Sequence, residues 1–164
     1  MKTKFLALVM VIATLVLLTG CLSTTERTIK DKAGNKVTID QNNGKLKLKD
    51  KTGERSAEFG DNVKLPKDFP KDIPIYKGAK VQTSISTKND KGTTKIVSFE
   101  VEASQKKVSD FYQKALNKSG YRISGTFSSN KLTTFSADRD NAKVVMSIAQ
   151  NKNKSIVSIN VTEK

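Results

Sequence analysis

The sequence predicts an α+β fold: a curved antiparallel β-sheet packed on one helix, in the order ββαββββ, preceded by a small β-hairpin or meander region. Three observations predict it. After residue 79, six short runs alternate apolar and polar side chains, the period of a half-buried strand. Between Ser104 and Gly120 the spacing changes to threes and fours, the period of a helix. The runs are joined by short polar turns, which implies antiparallel pairing, and the one helix can then cover one sheet face.

The elements follow in chain order. Lys2 and Lys4 open the chain without a nearby acid, and an apolar run from Phe5 to Leu18 follows. Fourteen residues of helix span about 21 Å, short of a hydrocarbon core of roughly 30 Å. A basic start, a short apolar core and then small residues describe an export leader, not a permanent membrane helix. The run ends in Leu18-Thr19-Gly20-Cys21, which resembles the lipobox of bacterial lipoproteins. The resemblance implies that the Cys21 sulfur receives a diacylglycerol and that a dedicated peptidase, recognising Leu18, Thr19 and Gly20, cuts before Cys21. Residues 1–20 are then a signal peptide, and the remainder works outside the cytoplasm. Cys21 is the chain's one cysteine, which excludes an intramolecular disulfide. Two acyl chains give stable membrane attachment where one gives reversible binding.

Residues 21–28 read as a polar tether, too short to let the folded part leave the bilayer surface. Residues 29–61 nearly repeat themselves: Lys30-Asp31-Lys32-Ala33-Gly34 is echoed by Lys49-Asp50-Lys51-Thr52-Gly53. Each copy offers a Gly turn and a short alternating strand, and Asn42-Asn43-Gly44 suits a hairpin. With about two apolar side chains per strand, this meander is marginal on its own. Residues 62–78 hold all three prolines, Pro66, Pro70 and Pro74, which forbid a helix and favour extended backbone. Leu65, Phe69, Ile73, Ile75 and Tyr76 pin this connector onto the domain. The phrase Leu-Pro, Phe-Pro, Asp-x-Pro-x-Tyr-x-Gly-Ala resembles a segment of small bacterial lipoproteins without an assigned activity. The resemblance implies a shared architecture and nothing about chemistry.

Residues 79–164 form the main domain. Val81, Thr83 and Ile85 alternate with polar residues, Asn89 to Gly92 turns the chain, and Val97, Phe99 and Val101 alternate with Ser98, Glu100 and Glu102. Ser104 is placed to cap a helix. Val108, Phe111, Tyr112, Ala115 and Leu116 form its apolar stripe, and Gly120 supplies the left-handed residue that ends it. Tyr121, Ile123 and Phe127 are expected on one strand and Leu132 and Phe135 on the next. Ala142 to Ile148 and Val157 to Val161 then alternate cleanly.

Catalytic chemistry finds little footing. Without histidine, Ser–His and Cys–His nucleophile pairs and the usual zinc sites are excluded. No Gly-rich phosphate loop occurs, and no cofactor or metal site is expected. Asp138 and Asp140 flank Arg139 in a loop without calcium-loop spacing, so a polar turn is expected there. Glu100 and Glu102 are expected to share a strand face and pair with lysines. Tyr112 reads as core, and Tyr76 as the tyrosine with the best case for a partly exposed site.

The chain carries 30 basic and 16 acidic residues, a net +14. Export turns that charge away from nucleic acid and toward anionic lipids and wall polymers. The basic residues are mostly Lys, which suggests an AT-rich genome and a one-membrane cell. In a two-membrane cell, Leu22 and Ser23 after the cysteine favour the outer membrane. The expected partners are membrane lipid through acylated Cys21 and an envelope protein or anionic envelope polymer. The expected role is a membrane-anchored, non-catalytic binding or scaffolding module. The alternatives are an envelope enzyme acting on wall or lipid material and an electrostatic binder of anionic polymers.

Overall fold

The structure, a computed structural model, describes residues 26–164 apart from 33, 42, 43, 51 and 62. The leader, Leu18, Thr19, Gly20 and Cys21 therefore lie outside the described residues. Among the described residues, ten strands and one helix follow in order. The strands are β1 (Glu26–Lys30), β2 (Lys36–Asp40), β3 (Lys45–Asp50), β4 (Gly53–Phe59), β5 (Lys80–Asn89) and β6 (Gly92–Val101). After the helix α1 (Gln105–Lys118) come β7 (Arg122–Ser128), β8 (Leu132–Arg139), β9 (Ala142–Asn151) and β10 (Lys154–Glu163). All ten strands pair antiparallel in one sheet, ordered β1-β2-β3-β4-β5-β6-β10-β9-β8-β7.

The α+β expectation and the ββαββββ order after residue 79 agree with this architecture. The sheet is larger than that order alone implies, because β4 pairs with β5 over six positions and carries the meander into the same sheet. β1 also begins inside the stretch read as tether: Glu26, Arg27 and Thr28 pair with β2.

The helix forms where its period predicts. The Ser104 hydroxyl accepts from the Lys107 amide, and Gly120 sits at φ 78°. The Tyr121 amide donates to the Leu116 carbonyl at 2.9 Å and the Gly120 amide to the Asn117 carbonyl at 3.1 Å, a paired closure of the last turn. Val108, Tyr112 and Leu116 are buried against β7–β10. Each such side chain contributes about 1.5–3 kcal/mol by leaving water.

The core lies between this helix and one side of the sheet, here called the helix face. Val97, Phe99, Val101, Val144, Met146, Ile148, Val157, Ile159 and Val161 point into it and are buried. The connector packs on the β5–β10 part of that face through Phe69 and Ile73, with Ile75 and Tyr76 against the same core, whereas Leu65, expected to pin it as well, is 38% exposed. Its attachment is polar as well: the Ser119 hydroxyl donates to the Asp72 carbonyl at 2.6 Å. At the helix start, the Gln105 amide donates to Gln150 Oε1 at 2.6 Å and its side chain to the Thr133 hydroxyl at 2.7 Å.

Two β-bulges change which side chains share a face. In β5, Val81 pairs with Phe99 and Thr83 with Ser98, so Gln82 is the extra residue. Val81 therefore faces the helix, whereas Ile85, opposite Ile96, faces away. In β7, Ile123 pairs with Ala137 and Gly125 with Ser136, so Ser124 is extra. The expectation that Tyr121, Ile123 and Phe127 lie together on one strand is corrected accordingly. Tyr121 precedes β7, and the bulge turns Phe127 onto the face opposite Ile123.

Candidate binding face

The side of the sheet away from the helix, the open face, has the helix and the connector behind it. Cross-strand register makes its layout explicit. One row runs Phe59, Thr83, Ser98, Ser158, Ser147, Thr134 and Phe127, one residue from each of β4, β5, β6, β10, β9, β8 and β7. Five consecutive hydroxyls thus lie between two phenylalanines. At about 4.8 Å per strand the row is roughly 29 Å long. Ser98 donates to Ser158 at 3.3 Å, and the Thr134 and Ser147 hydroxyls lie 3.4 Å apart. Phe59 and Phe127 are 50% and 60% exposed, unusual for rings that a sheet normally buries.

The next row is apolar on one side: Ile39, Leu46, Ala57, Ile85, Ile96, Asn160 and Val145. Beyond it come Ile29, Val37, Leu48 and Arg55. In β1–β4 the apolar side chains therefore occupy the open face, whereas in β6–β10 they occupy the helix face. The helix face of β3 and β4 carries Lys45, Lys47, Lys49, Glu54 and Glu58 instead. The Gln82 bulge is where the apolar side crosses the sheet. The alternation is easily read in each strand, but a single inserted residue leaves no trace in composition. Gly125, in the middle of a strand, is the one local signal for the second bulge.

Two ionic clusters sit on the helix face. Lys95 shares parity with Val97 and Phe99, and its side chain is 4% exposed. It donates to Glu163 Oε2 at 2.5 Å and lies 3.4 Å from the Asp68 carboxylate. The cluster fastens the connector and the last strand to β6. Reading parity along the strand would have found this lysine. In the second cluster, Arg139 Nη1 donates to the Asp72 carboxylate and to the Ser119 carbonyl. Its guanidinium lies 4.2 Å from the centroid of the Tyr121 ring. Burial, and next the negative charge of Asp72, hold the Tyr121 hydroxyl above its ordinary range. The first cluster joins connector and strands, and the second joins connector, helix end and β8, so both fasten the connector to the sheet.

The residues singled out in the sequence are distributed as follows. Asp138 accepts from the Ser124 hydroxyl at 2.6 Å, and Asp140 occupies a turn position at φ 50°. Glu100 accepts from Lys154 at 2.7 Å on the open face, the lysine pairing expected of it. Glu102 does not share its strand, because β6 ends at Val101. Tyr112 is fully buried, as expected of a core residue, and its hydroxyl accepts from the Tyr76 amide at 3.1 Å. Burial pushes the Tyr112 hydroxyl well above its ordinary range. Tyr76 is half-buried, edge-on to Phe111 at 4.9 Å between ring centroids. It belongs to the seam between connector and helix, apart from the open face. Among the described residues, none of the Asp and Glu clusters gathers three groups that could hold a metal ion. No helix among them is long and apolar enough to cross a membrane.

A family model described as START domain-like matches residues 81–155, a little under half of the chain. The match spans β5 through β9 and the helix, which make up most of the helix-backed half of the sheet. It leaves β1–β4 outside. No curated protein and no solved structure gives a significant match.

Proposed function

We propose that the chain is an exported lipoprotein, attached to a membrane through acylated Cys21, whose α+β body is a non-catalytic binding or scaffolding module. The observation that carries the binding reading is the open face. Five hydroxyls in register, flanked at the two ends of the row by exposed phenyl rings, offer hydrogen bonds and apolar contact along a twisted surface. The leader and the Leu18-Thr19-Gly20-Cys21 sequence support the address. The similarity to a START domain-like family supports treating β5–β9 and the helix as a folded unit on which this face is carried.

The test is photo-crosslinking in intact cells. A photoreactive residue replacing Ser158 is expected to give defined adducts, and one replacing Lys114 on the solvent side of the helix is expected to give none. The mature product, weighed by mass spectrometry, is expected to begin at Cys21 and to carry diacylglycerol. Adducts from Lys114 alone would remove the open face from consideration, and a bare thiol would remove the anchor.

One observation favours a second reading. The outer side of the helix presents Lys106, Lys107, Lys114 and Lys118 with Asp110 the one acid among them. Such a stripe attracts anionic envelope polymers, with binding that collapses as salt shortens the range of the attraction to about 10 Å at 0.1 M.

A further inference from the structure

We propose that the apolar field on the open face of β1–β5 rests on the lipid bilayer itself, so that the module lies against the membrane and does not merely hang from it. This rests on the reading of Cys21 as the anchor. The field is made by rows of aliphatic side chains that no other part of the described chain covers. Ile29 is 47%, Leu46 40% and Phe59 50% exposed, and Ile39 and Ile85 beside them are half-buried. An apolar patch of this kind on a protein surface marks a contact.

Three observations select the bilayer as the occupant. The first is reach. Only residues 21–25 separate the anchoring sulfur from Glu26 at the start of β1. Five extended residues span at most about 18 Å. Strands lie about 4.8 Å apart, which places β4 within roughly 15 Å of β1. The whole field therefore stays within roughly 33 Å of the anchor, close enough to lie down on the bilayer. The second is the sidedness of β2–β4. Their other face carries Lys45, Lys47, Lys49, Glu54 and Glu58, and that face belongs in water. The third is the charge at the margin. Arg27 ends the Ile39 row, and Arg55, 3.4 Å from Asp50, interrupts the Leu48 row. Against lipid, long basic side chains lay their stems on apolar surface and reach phosphates with their heads.

Sheet twist provides an internal control. Adjacent strands rotate by about 20–25°, so across the six steps from β4 to β7 the open face turns by roughly 120–150°. Phe127 is as exposed as Phe59 but faces a different direction. The chain has no tryptophan, so a single indole reports one site without background.

The experiment uses the full lipidated protein, carrying Phe59→Trp or Phe127→Trp, reconstituted into phosphatidylcholine–phosphatidylglycerol vesicles with bromine on the acyl chains. The expected result is a blue-shifted emission with loss of intensity to bromine for Phe59→Trp, and a water-like, unquenched emission for Phe127→Trp. Water-like emission from both, or equal quenching of both, overturns the proposal. A blue shift for Phe59→Trp that appears without vesicles and grows with protein concentration also overturns it, since the field would then be covered by a second copy. Far-UV circular dichroism verifies folding, and Leu46→Trp replaces Phe59→Trp if the latter does not fold. The mass of the same preparation reads the anchor separately. If Cys21 proves unacylated, vesicles added to the unanchored protein decide alone: quenching of Phe59→Trp keeps the field as a lipid contact, and no quenching removes both.

Discussion

Asn160 sits in the middle of an apolar cross-strand row, between Ile96 on β6 and Val145 on β9. Its Oδ1 is buried and has no hydrogen-bond partner among the described residues. A buried acceptor without a partner costs about 1–3 kcal/mol relative to one that is satisfied. Replacing it by a branched apolar residue removes that cost and suits a position flanked by Ile and Val on a pleated sheet. Asn160→Val is therefore expected to stabilise the protein by about 1–2 kcal/mol. In a domain of this size that raises Tm by roughly 3–7 °C. Urea unfolding reads the effect directly: the midpoint moves up with the m-value unchanged. A midpoint that falls by the equivalent of about 1 kcal/mol or more would refute the reasoning, because it would mean that Oδ1 is satisfied and that the row depends on it.

Two further outcomes follow from the helix face. Leu116→Ala, at a position 1% exposed beneath the helix end, is expected to cost about 2–5 kcal/mol, read as a lower urea midpoint. Tyr112 and Tyr121 both hold their protons above the ordinary phenol value of 10.0, chiefly through burial. Their stabilising effect is fully present below pH 10 and is lost as pH rises through the elevated folded values, so stability falls on the alkaline side. An absorbance titration of phenolate is expected to show these two rings ionising together with the loss of the fold, and Tyr112→Phe is expected to reduce that late step.

Much of the helix-backed half was legible in the sequence because its signals are local and redundant. Ser104, the Val108–Tyr112–Leu116 stripe and Gly120 each point to the same fourteen-residue helix. The clean alternation in Val144–Ile148 and Val157–Val161 marks β9 and β10 on its own. What escaped is what depends on register. The bulges at Gln82 and Ser124 each add one residue, and one residue inverts every side chain beyond it. That is why Phe127, expected on one strand with Ile123, stands on the opposite face from it. Leu132 and Phe135, placed together on β8, fall on opposite faces for the simpler reason that they are three residues apart. The joining of the meander to the main sheet depends on pairing between residues 54–59 and 83–88, separated by the connector, and no short-range pattern encodes that.

The strand order has a consequence for how the molecule is made. β10 is the last of the described strands in chain order, yet it lies in the interior of the sheet, pairing with β6 over nine positions and with β9 over ten. A chain synthesised from its N-terminus delivers this keystone after the nine other described strands. Until it arrives, β1–β6 and β7–β9 are two separate ladders, each with an unsatisfied long edge. Joining them closes a loop of some fifty residues, a slow step in folding compared with hairpin formation. β10 thus decides when the two halves become one body, and a chain that lacks it leaves them apart.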